Sequence, residues 1–253
     1  MAANEGQEPR QSGGMPRRAI MLGAGGLAVG AVGAGIGLAA APTSASVTPA
    51  QLDAVAAQLP LTEGLMNEHG LLIRIILIYR EAIGRAAAGQ AIPRAEVNQA
   101  AQVIEAFIHG YHEPMEEAYV FPQVGTADRT LQTDIQTLLL QHARGREQTQ
   151  LILQATAGSA AFVQGANKQT MVTGMSNFVR GYEVHEARED TVIYPALRAA
   201  STPTQTVQLA THFADLEKQQ FGANGFVDML TKVEAVEKSL GIFDLAQYTP
   251  PQV

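Results

Sequence analysis

One short pattern occurs twice in this chain, with every shared position 73 residues apart. The first copy reads HGYHEPMEEAYVFP from His109 to Pro122, and the second reads YEVHEAREDTVIYP from Tyr182 to Pro195. In each copy a histidine is followed four positions later by a glutamate, a spacing that places both side chains on one face of a helix. Two such helices that face each other predict a metal site between them.

The composition of the chain limits the chemistry that it can carry. Apolar residues make up 46% of the 253 residues, which is enough for a sizeable core. The net charge is -7, and the body of the chain has no cluster of lysine and arginine with interleaved aromatic residues, so we expect no nucleic-acid partner. The sequence contains no cysteine, which leaves histidine and carboxylates as the strong metal ligands.

Residues 1–45 differ from the rest of the chain and predict an export signal. Pro16-Arg17-Arg18 precedes an apolar run, rich in glycine and alanine, that extends from Ala19 to Ala41. The paired arginines and the weak hydrophobicity of the run resemble the twin-arginine class, although the usual aromatic residue after the arginines is missing. We expect a protein exported to the periplasm or the extracellular space, with an uncleaved membrane anchor as the alternative.

From Thr48 onward the pattern of the chain is helical. Thr48-Pro49 and Thr202-Pro203 are both helix start signals, with threonine as the cap and proline in the first turn. Apolar residues recur at helical spacing in residues 65–83, 97–120, 131–153 and 171–197. The short loops between these segments predict an all-α fold, an up-down four-helix bundle.

A further helix is predicted after the bundle. It covers residues 203–240, is interrupted near residues 222–225 and is expected to pack outside the four helices. No segment alternates with a period of two, so we expect no sheet. The predicted helical domain covers residues 46–253, with its core at residues 61–199 and a C-terminal extension at residues 203–253.

Each predicted bundle helix contributes one histidine to a candidate metal site, and the second helix also carries His109. Four of the six histidines in the chain are distributed in this way: His69, His112, His142 and His185. A lone histidine on a helix is most often a surface or core residue, but one on each helix is the arrangement that a metal site inside a bundle needs. Neutral imidazoles with bridging carboxylates suit two borderline metal ions such as iron.

The motifs on all four helices resemble the haemerythrin-like family, also called HHE domains, over residues 61–197. The family pattern has a histidine on the first helix, His-Glu-x-x-Glu on the second, a histidine on the third and His-x-x-x-Glu on the fourth. This chain matches the pattern on every helix, and the aromatic-proline pairs that end the second and fourth helices match as well. The resemblance implies a di-iron centre inside a four-helix bundle.

The resemblance also implies which residues bind the two iron ions of each chain. The seven implied ligands are His69, His112, Glu113, Glu116, His142, His185 and Glu189. His69 and His112 would bind one iron, and His142 and His185 the other. The glutamates at 116 and 189 would bridge the two ions, and Glu113 would complete the coordination of the second iron. On a helix Glu113 lies about 60° from Glu116, within reach of a metal at the edge of the same site.

The third helix departs from the oxygen-carrying haemerythrins. Arg146 stands where a second histidine is expected, four residues after His142. Exchange of a neutral imidazole for the carboxylate of Glu113 adds negative charge, which favours the ferric state and lowers the reduction potential. We therefore expect oxidation of the iron to be easier than reversible binding of dioxygen.

Several residues beside the ligands are also predicted to matter. Pro114 predicts a kink in the second helix, because it cannot donate to the carbonyl of Gly110. His109 is expected either to hydrogen-bond a ligand or to be a buried polar residue, and Tyr182 either to donate to a carboxylate or bound oxygen or to pack as a core aromatic. His212 is predicted to be structural. The other acids of the repeat are predicted to be solvated or to lie outside the ligand set: Glu117, Glu186 and Asp190.

Three other kinds of site fail on residue spacing. Neither His112-Glu113 nor His185-Glu186 has the second histidine of an H-E-x-x-H zinc protease. Ferritin-type di-iron bundles need Glu-x-x-His, and no histidine here follows a glutamate by three places. The sequence also contains no P-loop for nucleotide phosphates.

Three functions stay open at this point. The first is an exported di-iron protein that binds a small molecule such as dioxygen, nitric oxide or peroxide, in oxygen, nitric oxide or iron handling. The second is a di-iron oxidase or peroxidase that turns over dioxygen or peroxide. The third is an acidic helical interaction domain whose histidines are incidental. The sequence leaves the oligomeric state open, and a membrane is a partner only if the signal segment stays uncleaved.

Overall fold

The amphipathic segments of the sequence form six helices in residues 61–252, the part of the chain that the computed structural model describes. They are α1 (Leu61–Ala87), α2 (94–127), α3 (Gln132–Ala155), α4 (165–200), α5 (Pro203–Phe221) and α6 (Gly225–Leu240). Helices α1 to α4 form the predicted bundle, and α5 and α6 form the predicted C-terminal extension, which packs against α1 and α2. The fold class predicted from the sequence is confirmed.

The ends of the helices follow local sequence signals. Thr202 caps α5 in a capping box, in which Gln205 N donates to Thr202 Oγ1 at 3.3 Å and Thr202 N donates to Gln205 Oε1 at 2.9 Å. Gly222, with φ of 86°, ends α5 in a conformation that other residues rarely adopt. The interruption expected near residues 222–225 therefore separates two helices. The predicted signal segment and the start signal at Thr48-Pro49 lie outside the described residues.

Helices α2 and α4 contain π-helical segments that each end two residues before a proline. The segments are Ile104–His112 before Pro114, Glu116–Val120 before Pro122, and Glu189–Ile193 before Pro195. A proline has no N–H for the carbonyl four residues earlier, so the chain stays helical by changing its hydrogen-bond register. The last two segments are related by the same offset of 73 residues as the sequence repeat.

The helix therefore continues through Pro114 with a change of register. The N–H of Glu113 donates to the carbonyl of Ile108, five residues earlier. The carbonyl of Gly110, which Pro114 cannot serve, accepts from the Gln220 side-chain amide of α5 at 3.2 Å. The C-terminal extension thus satisfies a backbone group that the proline leaves without its usual partner.

Two apolar clusters fill the bundle, one on each side of the predicted ligands. The larger contains Leu71, Tyr79, Phe107, Phe178 and Val233 among others, and the smaller contains Leu65, Phe121, Ile135, Tyr194 and Phe213 among others. The predicted histidines and glutamates lie along the helices between these clusters, so they are shielded from solvent at both ends of the bundle.

The described residues contain no strand. A single antiparallel bridge between Pro93 and Phe162 ties the α1–α2 loop to the α3–α4 loop. Within residues 61–252, none of the helices is long and apolar enough to cross a lipid bilayer.

Candidate metal centre

The four predicted histidines turn one ring nitrogen each towards a common point inside the bundle. All are at most 2% exposed. His142 Nε2 lies 3.1 Å from His185 Nε2, and His185 Nε2 lies 3.1 Å from Glu189 Oε2. His69 Nε2 lies 3.3 Å from the same Glu189 oxygen. The carboxylate of Glu189 therefore stands between histidines of α1 and α4.

Glu116 connects the two halves of this cluster. Its Oε2 lies 3.5 Å from His112 Nε2 and 3.5 Å from His142 Nε2. Three groups have ligand atoms that all lie within 4.8 Å of one another. His69, His112 and Glu116 form the first, Glu116, His142, His185 and Glu189 form the second, and Glu113, Glu117 and His142 form a third. Glu116 belongs to the first two, which is the position expected of a bridging carboxylate.

The second ring nitrogen of each histidine is held by an oxygen outside the ligand set. Nδ1 of His69 pairs with Asp190 at 2.9 Å, and Nδ1 of His142 pairs with Glu117 at 3.0 Å. An Nδ1–H donor to such an oxygen fixes the ring and leaves the lone pair of Nε2 for a metal. Glu117 and Asp190 are thus placed as hydrogen-bond partners of predicted ligands, which is one of the two sequence interpretations, although Glu117 also belongs to the third group.

Sequence reasoning missed the partners of the other two histidines. Glu68 Oε2 lies 2.6 Å from His112 Nδ1, and Gln141 Oε1 lies 3.0 Å from His185 Nδ1. Glu68 and Gln141 immediately precede His69 and the third-helix histidine in sequence, and they too are 73 residues apart. Extension of the repeat from α2 and α4 to α1 and α3 would have found both residues.

The site therefore consists of two sets of positions related by the offset of 73 residues, and a few related positions carry different residues. One break is Phe121, whose equivalent is Tyr194. The Tyr194 hydroxyl donates to Glu116 Oε1 at 2.7 Å and lies 3.2 Å from His69 Nε2. Phe121 stacks on His142 instead, with ring centroids 5.7 Å apart. Of the two predicted bridging carboxylates, Glu116 accepts a hydrogen bond from a phenol and Glu189 does not.

Glu113 is anchored by several donors. His109 Nδ1 lies 2.8 Å from Glu113 Oε1, and the Tyr182 hydroxyl donates to the same oxygen at 2.5 Å. Arg146 Nη2 lies 2.8 Å from Glu113 Oε2, an ion pair that is not aligned as a hydrogen bond. His109 Nε2 pairs with Thr149 Oγ1 at 2.9 Å. His109 and Tyr182 thus both hydrogen-bond Glu113, which stays a predicted metal ligand.

The acid–base properties of the cluster reflect its burial. Burial, and after it repulsion by Glu189, raise the pKa of Glu116 to about 8. Burial also raises the pKa of Glu113, but the hydrogen bond from His109 and the charge of His142 hold it at about 2. Burial lowers the pKa of His142, which favours the neutral imidazole that a metal requires.

His212 lies apart from this cluster, and Glu186 is buried where a solvated acid was one of the two expectations. His212 is on the exposed side of α5, where its Nε2 pairs with the Tyr119 hydroxyl at 2.9 Å. Glu186 is not solvated: it is 3% exposed, and burial raises its pKa to about 8.

The buried oxygens test whether these residues fit a metal. Among the described residues, the buried carboxylate oxygens with no hydrogen-bond partner are Glu113 Oε2, Glu116 Oε2, Glu186 Oε1 and both side-chain oxygens of Glu189. A buried polar group without a partner costs about 1–3 kcal/mol, and more if it is charged. Cations between these oxygens and the four Nε2 atoms would remove that cost, so the residues fit a metal centre.

Comparisons with known proteins agree with this geometry. Residues 61–197 match the family described as the Hemerythrin HHE cation binding domain. The chain is 47% identical over 189 residues to the uncharacterized protein Rv1995 of Mycobacterium tuberculosis and, equally, to the uncharacterized protein Mb2018 of Mycobacterium bovis, and each alignment covers 74% of this chain and 73% of the relative. No solved structure matches the chain. The family match, the relatives and the buried cluster of histidines and glutamates together show that this chain belongs to the haemerythrin HHE cation-binding family.

Proposed function

We propose that this metal-binding haemerythrin-like protein holds two iron ions and binds dioxygen or a related small oxidant such as nitric oxide or peroxide. The observation that carries the proposal is the convergence of four buried Nε2 atoms on carboxylate oxygens that lack other partners. His69 and His112 would hold one ion and His142 and His185 the other. Glu116 and Glu189 would be shared, with Glu113 on the second ion.

The iron pair would supply electrons to a small oxidant. The protein residues would exclude water from the ions and hold their ligands in place. The apolar clusters on both sides keep bulk water from the ligands. The four Nδ1 contacts hold the imidazoles in one tautomer and one orientation. The Tyr194 hydroxyl is placed to orient one shared carboxylate. These features favour a site that is rigid before any ligand arrives.

Reconstitution under anaerobic conditions tests this proposal. Protein loaded with iron(II) and then exposed to dioxygen should develop the charge-transfer absorption of ferric iron bound by histidine and carboxylate. Mössbauer spectroscopy should report two coupled iron ions. Iron that stays uncoupled, or absorption that is the same in a His112→Ala and a His185→Ala variant, would contradict the proposal.

An enzyme is the second candidate, and one observation favours it. Glu113 places an additional carboxylate beside His142, and its pKa of about 2 keeps it charged at neutral pH. Extra negative charge at the metals favours the oxidised state and so disfavours reversible binding. A di-iron oxidase or peroxidase should consume dioxygen or peroxide through many turnovers with an added reductant. A single oxidation of the iron with no further turnover would exclude this candidate.

Export of the protein is part of the proposal. The support is the arginine pair at Arg17-Arg18 and the apolar run that follows it. Because the twin-arginine route carries folded proteins, iron could be inserted inside the cell, where metal supply overrides the intrinsic order of affinities. Mass spectrometry of the mature N-terminus and fractionation of Arg17→Lys, Arg18→Lys cells test export. An intact N-terminus in the membrane fraction would instead support the anchored form.

A further inference from the structure

One buried carboxylate oxygen without a hydrogen-bond partner belongs to a residue outside the seven predicted ligands. In residues 61–252, the others of this kind belong to Glu113, Glu116 and Glu189, which are all predicted ligands. The remaining one is Oε1 of Glu186, whose residue is 3% exposed. The feature that identifies the other three carboxylates as metal ligands therefore identifies Glu186 as well.

The charged surroundings of Glu186 are residues of the metal centre. Glu186 directly follows His185 on α4, and the ionisable side chains that act on its pKa are His69, His185, Glu189 and Asp190. Within residues 61–252, no lysine or arginine forms an ion pair with the carboxylate of Glu186. A carboxylate in this position is surrounded by potential ligands and by their hydrogen-bond partners, so its natural counter-ion is a metal.

The internal repeat assigns Glu186 to one of the two ions. The offset of 73 residues relates Glu186 to Glu113 and relates His69 to His142. His142 lowers the pKa of Glu113, and in the same way His69 acts to lower the pKa of Glu186. The two glutamates thus occupy matching places, one beside each pair of histidines. Glu186 belongs to the half of the centre that contains His69 and His112.

The two glutamates differ in their protein partners. Glu113 has Arg146 as a cation and hydrogen bonds from His109 and Tyr182. The position that corresponds to Arg146 in the other half is occupied by Ile73, which carries no charge. The protein therefore neutralises Glu113 in part by itself but leaves Glu186 for another cation.

We propose that Glu186 is an eighth ligand, bound to the ion that His69 and His112 hold. This inference rests on the proposed di-iron function and extends it. Each ion then has two imidazoles and one carboxylate of its own, and both ions share Glu116 and Glu189. Glu186 is outside the groups of ligand atoms that lie within 4.8 Å of one another, so it must rotate about its side-chain bonds to bind.

A Glu186→Gln substitution tests the assignment, because it keeps the shape of the side chain and removes the charge. Anaerobic titration with iron(II) against a competing chelator should show one of the two ions bound at least about tenfold more weakly, with the other unchanged. The metal-free variant should melt at the same or a higher temperature than the metal-free wild type, since an uncompensated buried acid has been removed. Wild-type affinity for both ions would overturn the assignment.

Matched variants separate this result from a general disturbance. Glu183→Gln, on the same helix but paired with Arg80 at the surface, should keep both ions at wild-type affinity. Combination of Glu186→Gln with His69→Ala should add little to the effect of His69→Ala, whereas combination with His142→Ala should add fully. The reverse pattern would place Glu186 on the other ion and overturn the proposal. If the wild type itself binds fewer than two ions, the di-iron function fails independently of Glu186.

If Glu186→Gln does not fold, Glu186→Asp supplies the same test. The aspartate keeps the charge but is one methylene shorter, so it should weaken the same ion by a smaller factor. A folded Glu186→Asp variant that binds both ions with wild-type affinity would also count against a ligand at this position.

Discussion

The hydroxyl of Tyr182 donates a hydrogen bond of 2.5 Å to Oε1 of Glu113, and so joins α4 to α2 beside the metal centre. Gly145 of α3 makes this contact possible, because a Cβ there would lie 2.1 Å from the Tyr182 hydroxyl. The ring of Tyr182 also stacks on Phe178, with centroids 4.2 Å apart. The position of one predicted ligand therefore depends on packing between three helices.

A Tyr182→Phe variant should keep its iron but lose stability. The phenylalanine removes one donor to a buried carboxylate, which should lower the free energy of unfolding by about 1–3 kcal/mol. Loss of that donor makes Glu113 more electron-rich, so the reduction potential of the iron should fall. Denaturant unfolding and potentiometry measure the two effects. Tyr119→Phe, which removes only an exposed contact with His212, should show neither.

A Gly145→Ala variant should displace Tyr182. The added methyl group cannot coexist with the ring in its present position, so we expect a loss of about 1–3 kcal/mol in the free energy of unfolding. Gly181→Ala is the matched control on α4, since a methyl group added there would meet no neighbouring side chain within 4 Å and should be neutral or stabilising. Equal effects of the two changes on thermal unfolding would mean that Gly145 has no special steric role.

The stability of the metal-free protein should fall as the pH rises. The pKa of Glu116 is about 8 in the folded protein, against an ordinary value of 4.5, because of burial and of repulsion by Glu189. Between these values the folded protein holds a proton that the unfolded chain has released, so stability decreases as pH increases. Iron(II) affinity should rise over the same window, because binding displaces that proton.

The contribution of Glu116 can be isolated by comparison of thermal unfolding between the metal-free wild type and a metal-free Glu116→Gln variant. The slope of melting temperature against pH between about 4.5 and 8 should be less negative in the variant. Identical slopes would show that Glu116 does not hold the proton.

An Asp190→Asn variant should weaken iron binding without removing a ligand. Asp190 holds Nδ1 of His69, and loss of such a partner typically lowers metal affinity about 10–100-fold. Chelator competition measures the change. The Glu183→Gln control should retain wild-type affinity, and an Asp190→Asn affinity equal to that control would indicate that the contact does not orient the imidazole.

The sequence predicted the helices and the convergent histidines because both depend on local periodicity. The spacing of His112 and Glu116 places them on one face of any helix, whatever the rest of the chain does. Pro114 predicted a kink, but a proline can kink a helix or shift its hydrogen-bond register. The sequence alone does not show which occurs, nor that Gln220 of another helix donates to the Gly110 carbonyl.

The surroundings of the ligands were less accessible to sequence reasoning. The contacts of Glu113 with Tyr182 and Arg146 depend on distances between three helices, which periodicity does not give. The burial of Glu186 was missed for the same reason, since an acid beside a ligand is normally solvated. The oxygen that holds each Nδ1, by contrast, follows the offset of 73 residues and was available from the repeat.

The metal content of the purified full-length protein is the most direct test of the central claim. Anaerobic iron(II) titration followed by elemental analysis should give two iron ions per chain in the wild type, and fewer in both His112→Ala and His185→Ala. A wild-type protein that retains no iron, or variants whose iron content equals that of the wild type, would contradict a di-iron centre built from these residues.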